Sequence, residues 1–457
     1  MRLSQPGSGR KNMLDINYIK ENLDKVRKSV EDRKLNVDLD RIIELDNKRK
    51  EFIKRIDEKR AERNAASKEK PDQFQLEHLQ SLKQNLEKLE PELKKIEDEL
   101  KNLMLGVPNV PIEGVPEGDA SNNKILRQEG NLPKFEFTPK DHVALGELLD
   151  IIDIPRAAKV SGTRFGYLKN EGALLEFALV QLALKTLVED KFIPVVPPAL
   201  IRKEITEGLG YWHGKIDEKH TANENYYLVS DPEEHKEGLY LIGTGEHAVV
   251  PMHSDEVLDE KELPKKYVAF SPCFRREAGS YGKDTKGILR VHQFDKVEMV
   301  EFVKPEEDEK QRRKMLAIVE GLMQSLGLPY QVVQLAAGDL SFPGAETIDI
   351  ETWIPSQGKY RETHSISTTT DFQSRRLNIR YSYVDAVTHK PSNPVYPGQI
   401  ESGFFQKQAY VHILNGTAFA VGRMIIALLE NNQQEDGSVK IPEVLQKYTG
   451  FSEINLK

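Results

Sequence analysis

Hydrophobic positions early in the chain recur at helical spacing. From Asp15 to about Lys34, the residues Ile16, Ile19, Leu23, Val26 and Val30 fall three or four apart, which predicts an amphipathic helix. A second helix follows, with Ile42, Leu45, Phe52 and Ile56 along one stripe. A third is the most regular: Leu79, Leu82, Leu86, Leu89, Leu93, Ile96, Leu100 and Leu103 alternate steps of three and four, the seam of a coiled coil. The polar segment from Asn64 to Asp72, with Pro71, reads as a tip. The two long helices then fold back into an antiparallel hairpin roughly 45 Å tall at 1.5 Å per residue. Pro91 predicts a kink or weak point in the third helix, because it lacks an N–H and its ring clashes with the preceding turn.

After Leu105 this periodicity stops, and the Pro- and Gly-rich run GVPNVPIEGVPEGDAS predicts a linker. From about Pro139, helical segments such as Ala173 to Asp190 alternate with short strands such as Tyr267 to Phe270, Lys296 to Phe302 and Ile348 to Ile354. That mixture is α+β. The expected organisation is a disordered leader at 1–12, a helical arm at 13–105 with its coiled coil from about 37, a linker at 106–138 and a second domain at 139–457. The polar, Pro- and Gly-rich stretch from about 382 to 408 reads as a surface insertion. The leader, MRLSQPGSGRKN, is too polar for a signal-peptide core, and no long apolar run follows that would enter a membrane.

Charge narrows the possible partners. With 65 Lys and Arg against 73 Asp and Glu, the formal net charge is −8, so any binding of nucleic acid must be local. The second helix supplies a candidate surface in Lys48, Lys50, Lys54, Arg55, Lys59, Arg60 and Arg63, which crowd the faces away from its apolar stripe. Taken alone, these are equally the solvated exterior of a coiled coil. The single cysteine, Cys273, forms no internal disulfide and leaves no Cys-rich set for structural zinc, which suits a reducing, cytoplasmic setting. There is no Gly-rich phosphate loop of the Walker or Rossmann kind.

The densest chemistry lies in SPCFRREAGSYGKDTKGILRVHQFDKVEMVEF, from Ser271 to Phe302, which reads as strand, polar loop, strand. It aims Arg275, Glu277 and Glu298 at one face and carries Lys283, Lys286 and Arg290 in the loop. The pattern by itself also describes a hairpin with surface ion pairs. Gathered in a pocket, Arg and Glu would suit a zwitterionic or phosphorylated ligand. The segment VHILNGTAFAVGR, from Val411 to Arg423, reads as a strand, a Gly turn and a helix with Arg423 near its start. The helix dipole disfavours a cation there unless an anion accompanies it.

These two segments resemble motifs 2 and 3 of class II aminoacyl-tRNA synthetases, and their wording is similar to that of the bacterial-type seryl-tRNA synthetases. Phe274-Arg275-Arg276-Glu277 with His292-Gln293-Phe294-Asp295 carries the first match. The second runs on into Asn431-Asn432-Gln433-Gln434 and Pro442-Glu443-Val444-Leu445. The resemblance implies a catalytic domain with an antiparallel β-sheet flanked by helices, attached to a long antiparallel coiled coil. It implies that serine is activated with ATP and attached to tRNA(Ser), with tRNA(Sec) left open as a second acceptor. Arg275 would hold the α-phosphate and the serine carboxylate, Glu277 the adenine amino group, Phe294 the adenine ring and Arg423 the γ-phosphate. Glu362 and Ser365 would hold Mg²⁺ against ATP. Thr244 and Glu246 would meet the serine amino group, Glu298 and Thr417 its hydroxyl, and Asn415 would complete the pocket. No zinc is implied, because the only Cys lies inside motif 2, where the family pattern also carries one.

The arm would lie along the long variable arm of the tRNA, reading shape and backbone rather than bases. The helix to Asp190 followed by Phe192-Ile193-Pro194-Val195-Val196-Pro197-Pro198 fits motif 1, which implies a homodimer. Two departures stand out. Family members commonly read Ser-Cys-Ser-Asn where this chain has Ser365-Ile366-Ser367-Thr368, and His364 replaces a small residue. A relative that makes seryl-adenylate without charging tRNA, or binds RNA without catalysis, would be marked by a shortened arm or by loss of Arg275, Glu277 or Arg423. This chain keeps all of them.

Overall fold

A computed structural model describes residues 15–66, 73–211, 226–231, 235–277, 286–386 and 404–456. The expected leader, most of the expected hairpin tip, Lys283 and residues 387–403 of the expected insertion lie outside them. The periodic stretch from Asp15 to Lys34 is two helices rather than one, α1 (Ile16–Glu21) and α2 (Leu23–Asp32). Asn22 breaks them with φ −125° and ψ 35°. A break of one residue leaves apolar spacing intact, so periodicity does not report it.

The hairpin consists of α3 (Leu39–Ala66) and α4 (Gln73–Leu105). The cross-helix pairs Arg41–Glu99 at 2.7 Å, Arg60–Glu90 at 2.8 Å and Glu62–His78 at 3.0 Å advance along α3 as they retreat along α4, so the helices are antiparallel. Leu82, Leu86 and Leu100 are buried along the seam, as are Ile42, Leu45 and Ile56 of α3. Helix α4 runs unbroken through Pro91, which is exposed.

The remainder is organised on an eight-stranded sheet among the described residues: β1 (Lys124–Glu129), β2 (Ile193–Val195), β3 (Lys265–Phe274), β4 (Gln293–Val303), β5 (Tyr330–Gln334), β6 (Glu346–Ile354), β7 (Lys359–Thr368) and β8 (His412–Ala420). Their order is β1-β5-β6-β7-β8-β4-β3-β2, antiparallel throughout except for β2 beside β3. Strand β1 corrects the expectation of a plain linker at 106–138. Within that segment Val107 and Asn109 are buried and Lys124–Glu129 forms a sheet edge, so its Pro and Gly turn the chain between packed positions. Strand β8 likewise passes straight through Gly416, where a turn was expected. A Cβ there would stand 3.0 Å from the Met315 methyl and 3.3 Å from that of Met299, so this glycine serves close packing.

Helices α5 (Asn170–Glu189), α7 (Asp308–Ser325) and α9 (Val421–Asn432) pack against the sheet through one apolar core that includes Leu175, Leu179, Met315, Leu322, Met299, Ile350, Leu414 and Leu428. Within it Glu430, fully buried on α9, accepts from the His142 amide at 2.9 Å, His142 Nδ1 at 3.0 Å and the Ser356 amide at 3.1 Å. His142 Nε2 in turn accepts from the Ile288 amide at 3.4 Å, which assigns the ring proton to Nδ1. Glu430→Ala strands the two buried donors of His142, along with the Ser356 amide nearer the surface, and is expected to cost about 3 kcal/mol in urea unfolding. Glu430→Gln keeps an acceptor oxygen and should lose less.

The arm is joined to the core by buried polar contacts. Asn109 Nδ2 donates to the Pro343 and Thr369 carbonyls at 2.9 and 2.8 Å, and Arg33 to the Gly344 carbonyl at 2.8 Å. Arg376, on α8 (Phe372–Leu377), lies with its guanidinium carbon 4.2 Å from the Phe372 ring centre and donates to the Leu105 and Val107 carbonyls at 3.3 and 3.5 Å. Phe342 and Phe372 share one apolar cluster with Ile19, Val26 and Met104, so the first helices, the arm base and the core pack as one unit.

Candidate active site

Alternate residues of β4 point into a cleft of about 700 Å³, and Phe294, Lys296 and Glu298 occupy three successive inward positions. Arg275 lies just past β3. Its Nε donates to the Gly243 carbonyl at 3.2 Å, and its guanidinium carbon sits 5.3 Å from the Phe294 ring centre. Glu277 adopts φ +50°, a strained conformation for a residue with a side chain, and pairs with Arg290 at 2.6 Å.

Thr244, Gly245 and Glu246 open a short helix, α6 (Glu246–Val249), with Thr244 Oγ1 accepting the Glu246 amide at 3.2 Å. Gly245 is required by close approach: a Cβ would meet those of Ala269 at 3.1 Å and Glu298 at 3.3 Å. The buried Glu246 carboxyl accepts from Gln373 Nε2 at 2.7 Å and from the Tyr211 hydroxyl at 3.3 Å. On the neighbouring strand, Glu298 Oε2 accepts from Thr417 Oγ1 at 3.3 Å and faces Lys296 Nζ at 2.6 Å.

Burial pushes the Glu246 carboxyl up to about 7, with Gln373 opposing and Glu298 adding to the rise. An ammonium ligand needs the carboxylate, so lowering the pH through that value protonates its binding group. The KM of an amino-acid substrate held there is expected to rise about tenfold per pH unit below 7, whereas the KM of a nucleotide measured alongside should not follow it.

At the other end of the cleft, Arg423 is the third residue of α9, and its Nη1 lies 2.9 Å from the Glu362 carbonyl and 3.0 Å from Glu362 Oε1. Burial works to raise the Glu362 carboxyl, but Arg423, Arg275 and Lys296 together hold it below its ordinary value. Ser365 and Ser367 line the cleft. His364 and Ile366 face the opposite way, into the core, where the His364 ring centre is 5.8 Å from that of Phe419. Burial pushes His364 down to about 3, so it is neutral. Ser365 pairs across the sheet with Asp349 and hydrogen-bonds it, while Asp349 Oδ1 is buried without a hydrogen-bond partner.

Similarity to known proteins follows the same division of the chain. The family described as tRNA synthetase class II core domain (G, H, P, S and T) matches residues 227–395, and that described as Seryl-tRNA synthetase N-terminal domain matches residues 13–111. The chain is 39% identical over 454 residues to the serine–tRNA ligase of Thermodesulfovibrio yellowstonii, across 97% of this chain and 100% of that one. It belongs to the seryl-tRNA synthetase family. The serine–tRNA ligase of Dictyoglomus thermophilum is 41% identical over 455 residues, across 97% of this chain and 100% of its own. The crystal structure of seryl-tRNA synthetase from Pyrococcus horikoshii complexed with ATP has a TM-score of 0.83 at 38% identity, covering 97% of this chain and 100% of that one.

As a seryl-tRNA synthetase family member the chain is an aminoacyl-tRNA synthetase, hence a ligase, with a class II core and a helical arm. Every cleft residue expected from the sequence lines this one cleft: Thr244, Glu246, Arg275, Glu277, Phe294, Glu298, Glu362, Ser365, Asn415, Thr417 and Arg423. The seven expected arm cations all lie on α3. Several are engaged there, Lys48 with Glu44, Arg55 with Glu51 and Lys50 with the buried Asp46 at 3.0 Å. Sequence reasoning missed Lys296, Gln373 and Tyr211. Period-two spacing between Phe294 and Glu298 could have found Lys296. Nothing local announces Gln373, which lies 127 residues from the Glu246 it contacts.

Proposed function

We propose that the chain activates serine with ATP to seryl-adenylate and transfers the seryl group to the 3′ end of tRNA(Ser). One observation carries the reading: a single cleft runs from an aromatic ring at Phe294, past the guanidinium of Arg275, to a buried pocket of hydroxyl and carboxylate groups at Glu298, Thr417 and Glu246. Serine would be held by its ammonium at Glu246 and Thr244 and by its hydroxyl at Glu298 and Thr417. Alanine would leave those buried groups unpaired, and the small volume would exclude larger side chains. Adenine would stack on Phe294 with Glu277 at its amino group.

In the first step a serine carboxylate oxygen attacks the α-phosphorus in line. The new O–P bond forms as the bond to the β-phosphate breaks, and pyrophosphate leaves. Arg275 and Arg423 stabilise the charge that develops on phosphate oxygens. In the second, the ribose hydroxyl of the terminal adenosine attacks the adenylate carbonyl and AMP departs. No protein nucleophile is needed, and positioning supplies much of the rate.

The oxygen donors Glu362 and Ser365, with the unpartnered Asp349 Oδ1 behind them, suit a hard cation, although no group of three or more His, Cys, Asp or Glu among the described residues is placed to hold a metal. Glu362 and Ser365 would hold Mg²⁺, which when bound would neutralise charge on the triphosphate. The reading includes no zinc: Cys273 is fully buried, and its sulfur lies 3.7 Å from Ser271 Oγ.

A homodimer is part of the proposal, supported by the exposed apolar side chains of Leu174, Phe177 and Val188 on α5 and of Ile193 and Val196 at β2. Location in the cytoplasm is another part; no helix among the described residues is long and apolar enough to cross a membrane. The deciding experiment is serine-dependent ATP–pyrophosphate exchange, with threonine, alanine and glycine as controls, followed by charging of tRNA(Ser) and tRNA(Sec). Exchange with serine alone is expected; none from folded protein would sink the enzyme reading.

A further inference from the structure

Lys296 has no part in the reading above, yet it is buried at the centre of the cleft, with a side chain 8% exposed. On β4 it lies midway between Phe294 and Glu298, with about 7 Å of strand to either side. If adenine occupies one end and the serine hydroxyl the other, the group between them is the junction of serine carboxylate and α-phosphate. Every covalent change in activation occurs there. An ammonium carries three protons, and Lys296 Nζ has one partner among the described residues, Glu298 Oε2 at 2.6 Å. That oxygen already accepts from Thr417. The same ammonium acts electrostatically on Glu246 at the serine end and on Glu362 at the phosphate end.

Burying a lysine is costly, and a hydroxyl pocket could be built from neutral amides without one. The cation is explained if an anion joins it when substrates bind. We infer that Lys296 is a catalytic residue, donating from Nζ to the anionic oxygens at the junction of serine and AMP while staying paired with Glu298. It transfers no proton. Its contribution is a fixed positive charge that strengthens as the negative charge of the reacting phosphate moves towards it. Arg275 approaches that junction from the end of β3, so the two cations would flank it. This inference rests on the proposed serine activation.

The test uses the full-length protein. Lys296→Met removes the charge and keeps an unbranched chain, Lys296→Gln serves if the methionine variant does not fold, and Lys296→Arg restores a cation. Exchange is expected to fall about 100-fold in kcat for the methionine variant, as for loss of one donor to a developing oxyanion, and to recover at least tenfold in the arginine variant. Calorimetry should find the sulfamoyl analogue of seryl-adenylate bound about 100-fold more weakly, with ATP alone changed less than about threefold.

A double-mutant cycle with Glu298→Gln separates this role from simple neutralisation of Glu298. The loss caused by Lys296→Met should persist on that background. A double variant as fast as Glu298→Gln alone, or unchanged analogue affinity in the methionine variant, would overturn the inference. Absence of serine-dependent exchange in the unsubstituted protein would instead refute the activity on which it rests.

Discussion

Arg275→Ala lowers serine-dependent exchange by about 10³-fold, near the upper end for removal of one group that meets developing charge on oxygen. The fold should hardly register the change. Among the described residues the Arg275 side chain makes one hydrogen bond, to the Gly243 carbonyl, and lies over Phe294 in the cleft, while its backbone bonds to His292 do not depend on the guanidinium, so circular dichroism and Tm should match the parent closely. The two observations must be made together. A large loss of exchange with an unchanged Tm assigns the loss to chemistry, whereas a loss of less than tenfold would remove Arg275 from the centre of the mechanism.

The second large effect is expected on charging alone. Lys54, Lys59 and Arg63 lie on α3, within the hairpin and apart from the cleft-lining residues. Replacing all three with alanine is expected to lower kcat/KM for tRNA about 100-fold at low salt and to flatten its logarithmic salt dependence by about three units, one for each lost phosphate contact. ATP–pyrophosphate exchange should be unaffected. Lys50 pairs with the buried Asp46, so its loss should appear in stability as well. Equal charging by the parent and the triple variant across a salt series would refute the arm's proposed role.

Much of this architecture was legible because its signals are local. The Leu79 to Leu103 seam states its own periodicity, and each leucine on it is buried or half-buried. The two long motifs carried their residues to the cleft intact. The departures at His364 and Ile366 could also be interpreted once strand alternation was known, since both face away from Ser365 and Ser367 into the core. What escaped depends on distance or on a single backbone angle. Asn22 divides a helix without disturbing its apolar spacing, and β1 joins the sheet only through β5, some two hundred residues later. Gln373 orients Glu246 from a different element, and no motif records that contact.

The buried joint at the arm base has a consequence for how acceptors are told apart. Because Asn109, Arg33 and Arg376 lock the foot of the hairpin to segments that flank the cleft, the hairpin is anchored like the fixed jaw of a caliper. The reach from reaction centre to the far end of the two helices is then set by helix length, about 1.5 Å for each residue added to both. A candidate acceptor would be measured against two marks a set distance apart, and one that satisfied either mark alone would be out of reach of the other.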